Sequence, residues 1–324
     1  MSTGLLLPQL GEMDPAEVAV TAEALGYDSV WAPELWGTSS AVKLAEIATR
    51  TESVGLGTAI MNVFSRSPAV LAMTAVSLDQ LADGRFTLGV GTSTQKAIED
   101  LHGIAFDRPV RRAHETIEAV RQFTRGEDRV TYEGELFDLA DFPSLDHSVP
   151  IYHAALGPAN RRVVGRLCDG WIPHNIPFTN LDEAFETVAE TAAEAGRDPE
   201  SIDVAPYVPV AVSDDPDEAK DAIRGHVAYY VGSGEGYRKA VAAVFPDEAG
   251  TVADQWRSGN RGDATAAVTD EMVEALGVAG TPDTAPDRLD RLVEETVIDR
   301  PILTVPNNAA DDLGEQTVES LAPS

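Results

Sequence analysis

Cysteine occurs only at Cys168, so no internal disulfide can form and a thiolate metal cluster is excluded; the thiol is expected to be packed and structural. Lysine is confined to Lys43, Lys96, Lys220 and Lys239, and arginine supplies the other cations. The 24 basic residues face 54 acidic ones, a formal net charge of -30 over 324 residues. Nucleic acid is therefore not an expected partner, because binding a phosphate backbone needs clustered cations. No apolar run approaches the ~20 residues that span a bilayer. The opening MSTGLLLPQLGEMD passes into acids too early for a signal peptide, so a soluble, cytoplasmic protein without a membrane partner is expected. Also missing are paired carboxylates, a nucleophile elbow, a His-Glu-x-x-His helix and a phosphate loop ending in Gly-Lys-Ser, which weakens hydrolase and kinase readings. His102, His114, His147, His153, His174 and His226 are scattered without ligand spacing, so no metal site is expected.

What is present is alternation. Short apolar runs rich in β-branched residues occur at Gly4 to Pro8, Asp28 to Pro33, Val54 to Ile60, Phe86 to Gly91, Pro150 to Ala155, Gly170 to Pro173, Ile202 to Val212 and Ile302 to Val305. They read as buried parallel strands. Amphipathic stretches separate them, such as Pro15 to Leu25, with Val18, Ala22 and Leu25 on one face, and Ala41 to Thr51, with Leu44, Ile47 and Ala48. The series predicts an α/β fold, a single (β/α)8 TIM barrel spanning 1–324, in preference to an open doubly wound sheet. Two insertions are expected, at about 129–140 after strand four and 232–270 after strand seven. The first, with Val130 to Leu139, reads as a hairpin around Glu133 and Gly134, and the second extends the mouth or a subunit contact.

In a barrel the C-terminal strand ends carry the chemistry, so the polar residues there are the candidates: Gln9, Glu34, Asn62, Thr92 with Ser93, Gly157, His174 with Asn175, and Asn307 with Asn308. Only Glu34 is a carboxylate. A mostly uncharged rim around a wide mouth suits a planar cofactor that does the chemistry while the protein positions it. Glycines recur at two strand ends, in Gly89-Val90-Gly91-Thr92 and Leu156-Gly157-Pro158-Ala159, where backbone N–H groups can approach a phosphate or simply form tight turns. Arg161 and Arg162 stand in the first turn of the helix after Gly157, to pair with an anionic tail or with surface carboxylates. Trp36 is placed to stack on a ring or to pack its loop, and His174 to touch ligand or to cap its loop. Gly232-Ser233-Gly234-Glu235-Gly236 imitates a nucleotide loop but follows a helix, so it is not read as one.

The run from Val54 to Gly91 resembles the luciferase-like monooxygenase superfamily, most tellingly in Leu56-Gly57-Thr58, Arg66-Ser67-Pro68-Ala69, Leu78-Asp79 and Gly84-Arg85-Phe86. Pro150 to Gly157, Gly165 to Trp171, Val208 to Ala219 and Val278 to Pro282 extend the likeness over nearly the whole chain. Ile60 to Pro68 is most similar to the branch that uses coenzyme F420, which includes methylenetetrahydromethanopterin reductase. The resemblance implies hydride transfer at carbon 5 of a deazaflavin. It also implies a bulge with a cis peptide at Ala59 and Ile60 beneath the ring and Asn62 close to it. Gly91, Thr92 and Ser93, with Gly157, Pro158, Ala159 and Arg161, would hold the ribityl-phosphate side. Glu34 and Trp36 are the catalytic candidates, and Gln9, His174 and Asn175 the substrate-binding ones. Leu35, Thr94 and Leu6 stand where relatives carry a proton-transferring His or an acid, so no substrate is copied from them.

The leading expectation is an F420-dependent oxidoreductase acting on a small organic molecule, with a methylene-tetrahydropterin as its most concrete form. An FMN-dependent monooxygenase and a non-catalytic cofactor-binding protein are the alternatives. Relatives commonly pair, so a homodimer or higher homo-oligomer is expected. The charge also resembles that of archaeal proteins from saline cytoplasm. Self-repulsion reaches about 30 Å at 0.01 M salt and about 3 Å at 1 M, so the melting temperature is expected to rise with KCl.

Overall fold

The computed structural model describes residues 2–8, 14–126 and 129–323. The first half of the chain runs β1 (Gly4–Leu6), α1 (Pro15–Ala24), β2 (Ser29–Ala32), α2 (Ser40–Ala48), β3 (Gly55–Thr58), β4 (Met61–Asn62), α3 (Pro68–Leu81), β5 (Phe86–Gly91) and α4 (Pro109–Arg125). Next come β6 (Arg129–Glu133), β7 (Asp138–Pro143), β8 (Ile151–Ala154), α5 (Pro158–Leu167), β9 (Gly170–Trp171), α6 (Leu181–Glu194), β10 (Asp203–Val204) and β11 (Tyr207–Val212). The last third holds α7 (Pro216–Ser233), α8 (Glu235–Val241), α9 (Pro246–Arg257), α10 (Arg261–Ala266), α11 (Asp270–Leu276), β12 (Val278–Gly280), α12 (Ala285–Glu294), β13 (Ile302–Thr304) and α13 (Asp311–Ser320). Helices start where the sequence supplies a cap and a proline. Asp14, Ser67 and Asp215 each accept a first-turn N–H, ahead of Pro15, Pro68 and Pro216.

All described strands but the β6–β7 hairpin join one parallel sheet in the order β10-β9-β8-β5-β3-β2-β1-β13-β11-β12, with β4 beside β5. Its two ends meet in one stretch of chain. β10 pairs with β9, and a few residues on β11 pairs with β13. Between them Ala205 N–H donates to Trp171 O at 2.8 Å and Tyr207 N–H to Pro173 O at 2.9 Å. The sheet therefore curls round on itself, and each of the eight expected apolar runs contributes a strand to it. A main hydrophobic core fills the space between sheet and outer helices, and a small one of Trp31, Ala59, Tyr152, Ile172, Ala205 and Ile302 plugs the inside of the curl.

Two additions shape the surface. The hairpin extends to Pro143, and Glu115 of α4, almost fully buried, accepts the N–H groups of Glu135, Leu136 and Phe137 at its turn. Helices α7 to α11 with Ala211, Ala279 and Leu313 form a third core of their own. That layer begins with α7, upstream of Gly232. Gly232 itself faces α9 so closely that a Cβ would sit 2.0 Å from Trp256, which explains this glycine by helix packing. In α1 the buried stripe is Ala16, Ala19 and Ala22 rather than the stripe expected through Val18 and Leu25, because Val18 is turned toward a cleft. No described helix is long and apolar enough to cross a membrane.

Candidate functional site

A cleft of about 960 Å³ opens at the C-terminal ends of the strands, between the sheet and the layer of α7 to α10. Its sheet wall is set by a bulge. Gly57 pairs with Thr87 and Met61 with Val90, so three residues of one strand lie opposite two of the other. The Thr58 hydroxyl fills the gap, donating to Gly89 O and accepting from Gly89 N–H, both at 2.8 Å. A side chain at Gly89 would put its Cβ 1.8 Å from Thr58 O, so only glycine allows this approach. The bulge presents Ala59 and Ile60 to the cleft, the peptide between them is cis, and the Tyr207 hydroxyl donates to Ala59 O.

Glu34 lies on the same wall with both oxygens engaged. Arg66 reaches them at 2.5 and 3.0 Å, and Ser40 donates from its N–H and its hydroxyl at 2.9 Å each. Burial alone would raise this carboxyl, but the Arg66 bonds and charge and the Ser40 bonds outweigh it and hold it below its ordinary value. The pairing favours the ionised carboxylate and ties both of its oxygens to the protein. Trp36 also lines the cleft, 43% exposed.

Other expected residues are placed differently from one another. Asn62 is buried, and its side-chain oxygen accepts the N–H groups of Phe64 and Ser65 at 3.0 and 2.8 Å while its amide meets His102 Nε2 at 3.2 Å. It holds the turn after β4 and is not among the cleft-lining residues. Ser93, with φ +58, and Thr94 line the cleft, whereas Thr92 does not. A Cβ on Gly91 would lie 2.9 Å from the Ile60 side chain. Gly157 caps α5 without a side-chain bond, and nothing lies within 4 Å of where its Cβ would be, so the first-turn N–H groups behind Pro158 have no side-chain cap, although Gly157, Pro158 and Ala159 are not among the cleft-lining residues. Arg161 gives Nη1 to Ala184 O at 2.7 Å, tying α5 to α6, and does not line the cleft. The anionic tail expected for it would have to displace that bond. Arg162 is exposed in the same turn. Gln9 lies outside the described residues.

His174 does line the cleft and is 7% exposed. Its Nε2 lies 3.2 Å from Nε2 of His226 in α7, and its ring packs 4.7, 4.3 and 5.4 Å from the rings of Tyr207, Tyr230 and Tyr237. Burial first, and His226 second, push its pKa well below the ordinary value; burial takes His226 down to about 3. Asn175, at φ +56, is buried with no partner for either amide atom among the described residues. Neighbouring cations are occupied, Lys96 by Asp100 at 2.5 Å and Arg261 over the Trp256 ring at 3.6 Å. Among the described residues no group of three or more His, Cys, Asp or Glu could hold a metal.

The sequence reading missed His226, Tyr207, Tyr230 and Tyr237. A signal was present: the chain has 7 tyrosines, and Tyr207, Tyr229, Tyr230 and Tyr237 crowd one short stretch, with His226 spaced to share a helix face with Tyr229 and Tyr230.

Comparison with known proteins gives concordant matches. A profile of the luciferase-like monooxygenase family matches residues 13–300. The 5,10-methylenetetrahydromethanopterin reductase of Methanolobus tindarius is 31% identical over 283 residues, 86% of each chain. The F420-dependent glucose-6-phosphate dehydrogenase of Kineococcus radiotolerans is 33% identical over 226 residues, 64% of this chain and 67% of its own. The solved structure of the coenzyme F420 dependent tetrahydromethanopterin reductase from Methanopyrus kandleri superposes with a TM-score of 0.83 at 24% identity, over 99% of this chain and 97% of that one.

Proposed function

The chain belongs to the luciferase-like monooxygenase family, and from that premise we propose that it is a coenzyme F420-dependent oxidoreductase acting on a small organic substrate. The observation that carries the reading is the cleft over the Ala59–Ile60 bulge, together with the uncapped start of α5. The residues present fit the group. Ala59 and Ile60 would lie beneath the ring, and Gly91, where any side chain would strike Ile60, would keep that surface flat. Ser93, Thr92 and the backbone of Gly157, Pro158 and Ala159 would meet the ribityl-phosphate side, where unpaired N–H groups at a helix start favour an anion. Arg162 is the further cation of that turn. Bound there, F420 would supply a ring carbon that exchanges hydride with a substrate carbon. The chain's own part is to hold the ring, exclude water and manage protons.

Substrate would approach from the layer of α7 to α10, against His174, with Asn175 behind it, Gln9 near by in sequence to strand one and Trp36 at the mouth. Glu34 would act by fixing the loop after β2 through Arg66 and Ser40. A methylene-tetrahydropterin is the first substrate to try, because the Methanolobus relative is named for that reaction. We read the curled sheet as a closed (β/α)8 barrel, one domain with additions after strands four and seven, working in the cytoplasm as a homo-oligomer; sedimentation in high salt tests the last point.

Equilibrium titration in molar KCl tests the cofactor. F420 should bind, and more tightly than FMN. Tight FMN binding with undetectable F420 binding would overturn the assignment in favour of a flavin monooxygenase, and F420 binding without turnover of any substrate would favour a binding protein.

A further inference from the structure

Few groups along the cleft are free to move a proton. Glu34 is occupied by Arg66 and Ser40, and Lys96 by Asp100. Asp14, Glu17, Asp311, Glu315 and Glu319 belong to the outer helices α1 and α13. Besides the tyrosines, the cleft is lined by His174 with its partner His226. Their Nε2 atoms are 3.2 Å apart and their ring centroids 5.4 Å apart. The centroid separation exceeds the nitrogen separation by nearly two centroid-to-nitrogen radii, so the rings meet head-on through one hydrogen bond. One Nε2 must then carry the hydrogen and the other the lone pair, which makes the two rings opposite tautomers. Neither Nδ1 has a protein hydrogen-bond partner among the described residues, and both side chains line the cleft. The couple thus offers one free N–H and one free lone pair.

We propose that His174 and His226 form a neutral proton relay that serves the substrate during hydride transfer. The inference rests on the F420 reading. With a methylene-tetrahydropterin, hydride from the reduced deazaflavin adds to the bridging methylene carbon. That carbon's bond to the departing amine nitrogen breaks, and the nitrogen keeps the electron pair. The nitrogen takes the Nδ1 proton of one ring, the shared Nε2 proton crosses to that ring, and water returns a proton to Nδ1 of the other. The substrate would gain a hydride and a proton, the reduced deazaflavin would lose a hydride and release a proton to water that makes good the one the couple takes up, and both rings would end neutral with their tautomers exchanged. Exchange with cleft water resets them.

A neutral relay is what this environment allows, since burial disfavours an imidazolium on either ring. The titratable groups facing the couple are Tyr207 from β11, Tyr230 from α7 and Tyr237 from α8. Burial keeps all three phenols protonated, Tyr237 being pushed up to about 12.

Two measurements on the full chain test the relay. Nitrogen-15 NMR of the histidine side chains at neutral pH should show one Nε2–H and one Nδ1–H tautomer, and matching tautomers or an imidazolium would overturn it. With reduced F420 and methylene-tetrahydrofolate as probe, His226→Ala should lose roughly 10²-fold in kcat. KM and F420 affinity should hold, and added free imidazole, which fits the vacated space, should restore turnover. A kcat near that of the wild type, or a loss that follows F420 affinity and ignores imidazole, would overturn the relay. Should the wild type bind F420 but leave methylene-tetrahydrofolate untouched, the substrate reading fails. The NMR result alone then decides the couple, with opposite tautomers sustaining it and matching ones refuting it.

Discussion

The two walls of the cleft are made differently. The sheet wall is backbone at close quarters: Gly57 and Gly89 lie where a Cβ would stand 2.2 Å from the Trp31 ring and 1.8 Å from Thr58 O. The opposite wall is side chains on a separately cored helical layer, with His226, Tyr230 and Tyr237 projecting from α7 and α8. A wall built of backbone contacts tolerates almost no change, whereas a wall of projecting side chains can alter while its helices persist. The first suits a cofactor that stays the same, and the second a substrate that differs between relatives.

The sharpest contrast is between glycines. Gly57→Ala should cost about 3 kcal/mol or more in denaturant unfolding, because neither ring nor strand can retreat. Gly250→Ala in α9, with nothing within 4 Å of its Cβ position, should instead be neutral or stabilise by about 0.5–1 kcal/mol. Equal effects at the two sites would dissolve the distinction between the walls.

Next in size is the Glu34–Arg66 pair, whose side chains are only 13% and 20% exposed. Glu34→Gln leaves Arg66 without its counter-ion and should destabilise by about 3 kcal/mol at pH 7. The carboxyl is lowered from 4.5 in the fold, so its contribution is present above that pH and is lost as pH falls through the lowered value. Urea unfolding of the variant should therefore show a smaller acid-side loss below pH 4.5 than the wild type, the remainder coming from other lowered carboxyls such as Glu23 and Asp270.

The histidine couple responds in another window. Both pKa values are lowered from 6.5 in the fold, so the unfolded chain takes up protons first and stability drops as pH falls below 6.5. Each ring contributes a slope of at most about 1.4 kcal/mol per pH unit. For His226 the slope continues down to about 3. His226→Gln should roughly halve the couple's share between pH 6.5 and 5, and an unchanged slope would mean the rings are not neutral in the fold.

Legibility divides along the same line. The strands were readable because β-branched runs alternate with helical patterns, and Leu44, Ile47 and Ala48 are buried in α2 as their spacing predicts. Family likeness located the Ala59–Ile60 bulge, which propensity alone does not mark. Asn62 and Glu34 stood at strand ends as expected, but their hydrogen bonds are local, to Phe64 and Ser65 in one case and to Ser40 and Arg66 in the other. Position along a strand does not tell which way a polar group turns. The His174–His226 contact joins residues 52 apart across two layers, a pairing that no periodicity encodes.

The division of labour between the walls is tested most directly by a crystal structure of the protein grown with F420. The account predicts the deazaflavin ring against Ala59 and Ile60, its phosphate at the start of α5 beside Gly157 and Ala159, and the face toward His174 left open for substrate. A ring lodged instead among His226, Tyr230 and Tyr237, with the bulge bare, would contradict it.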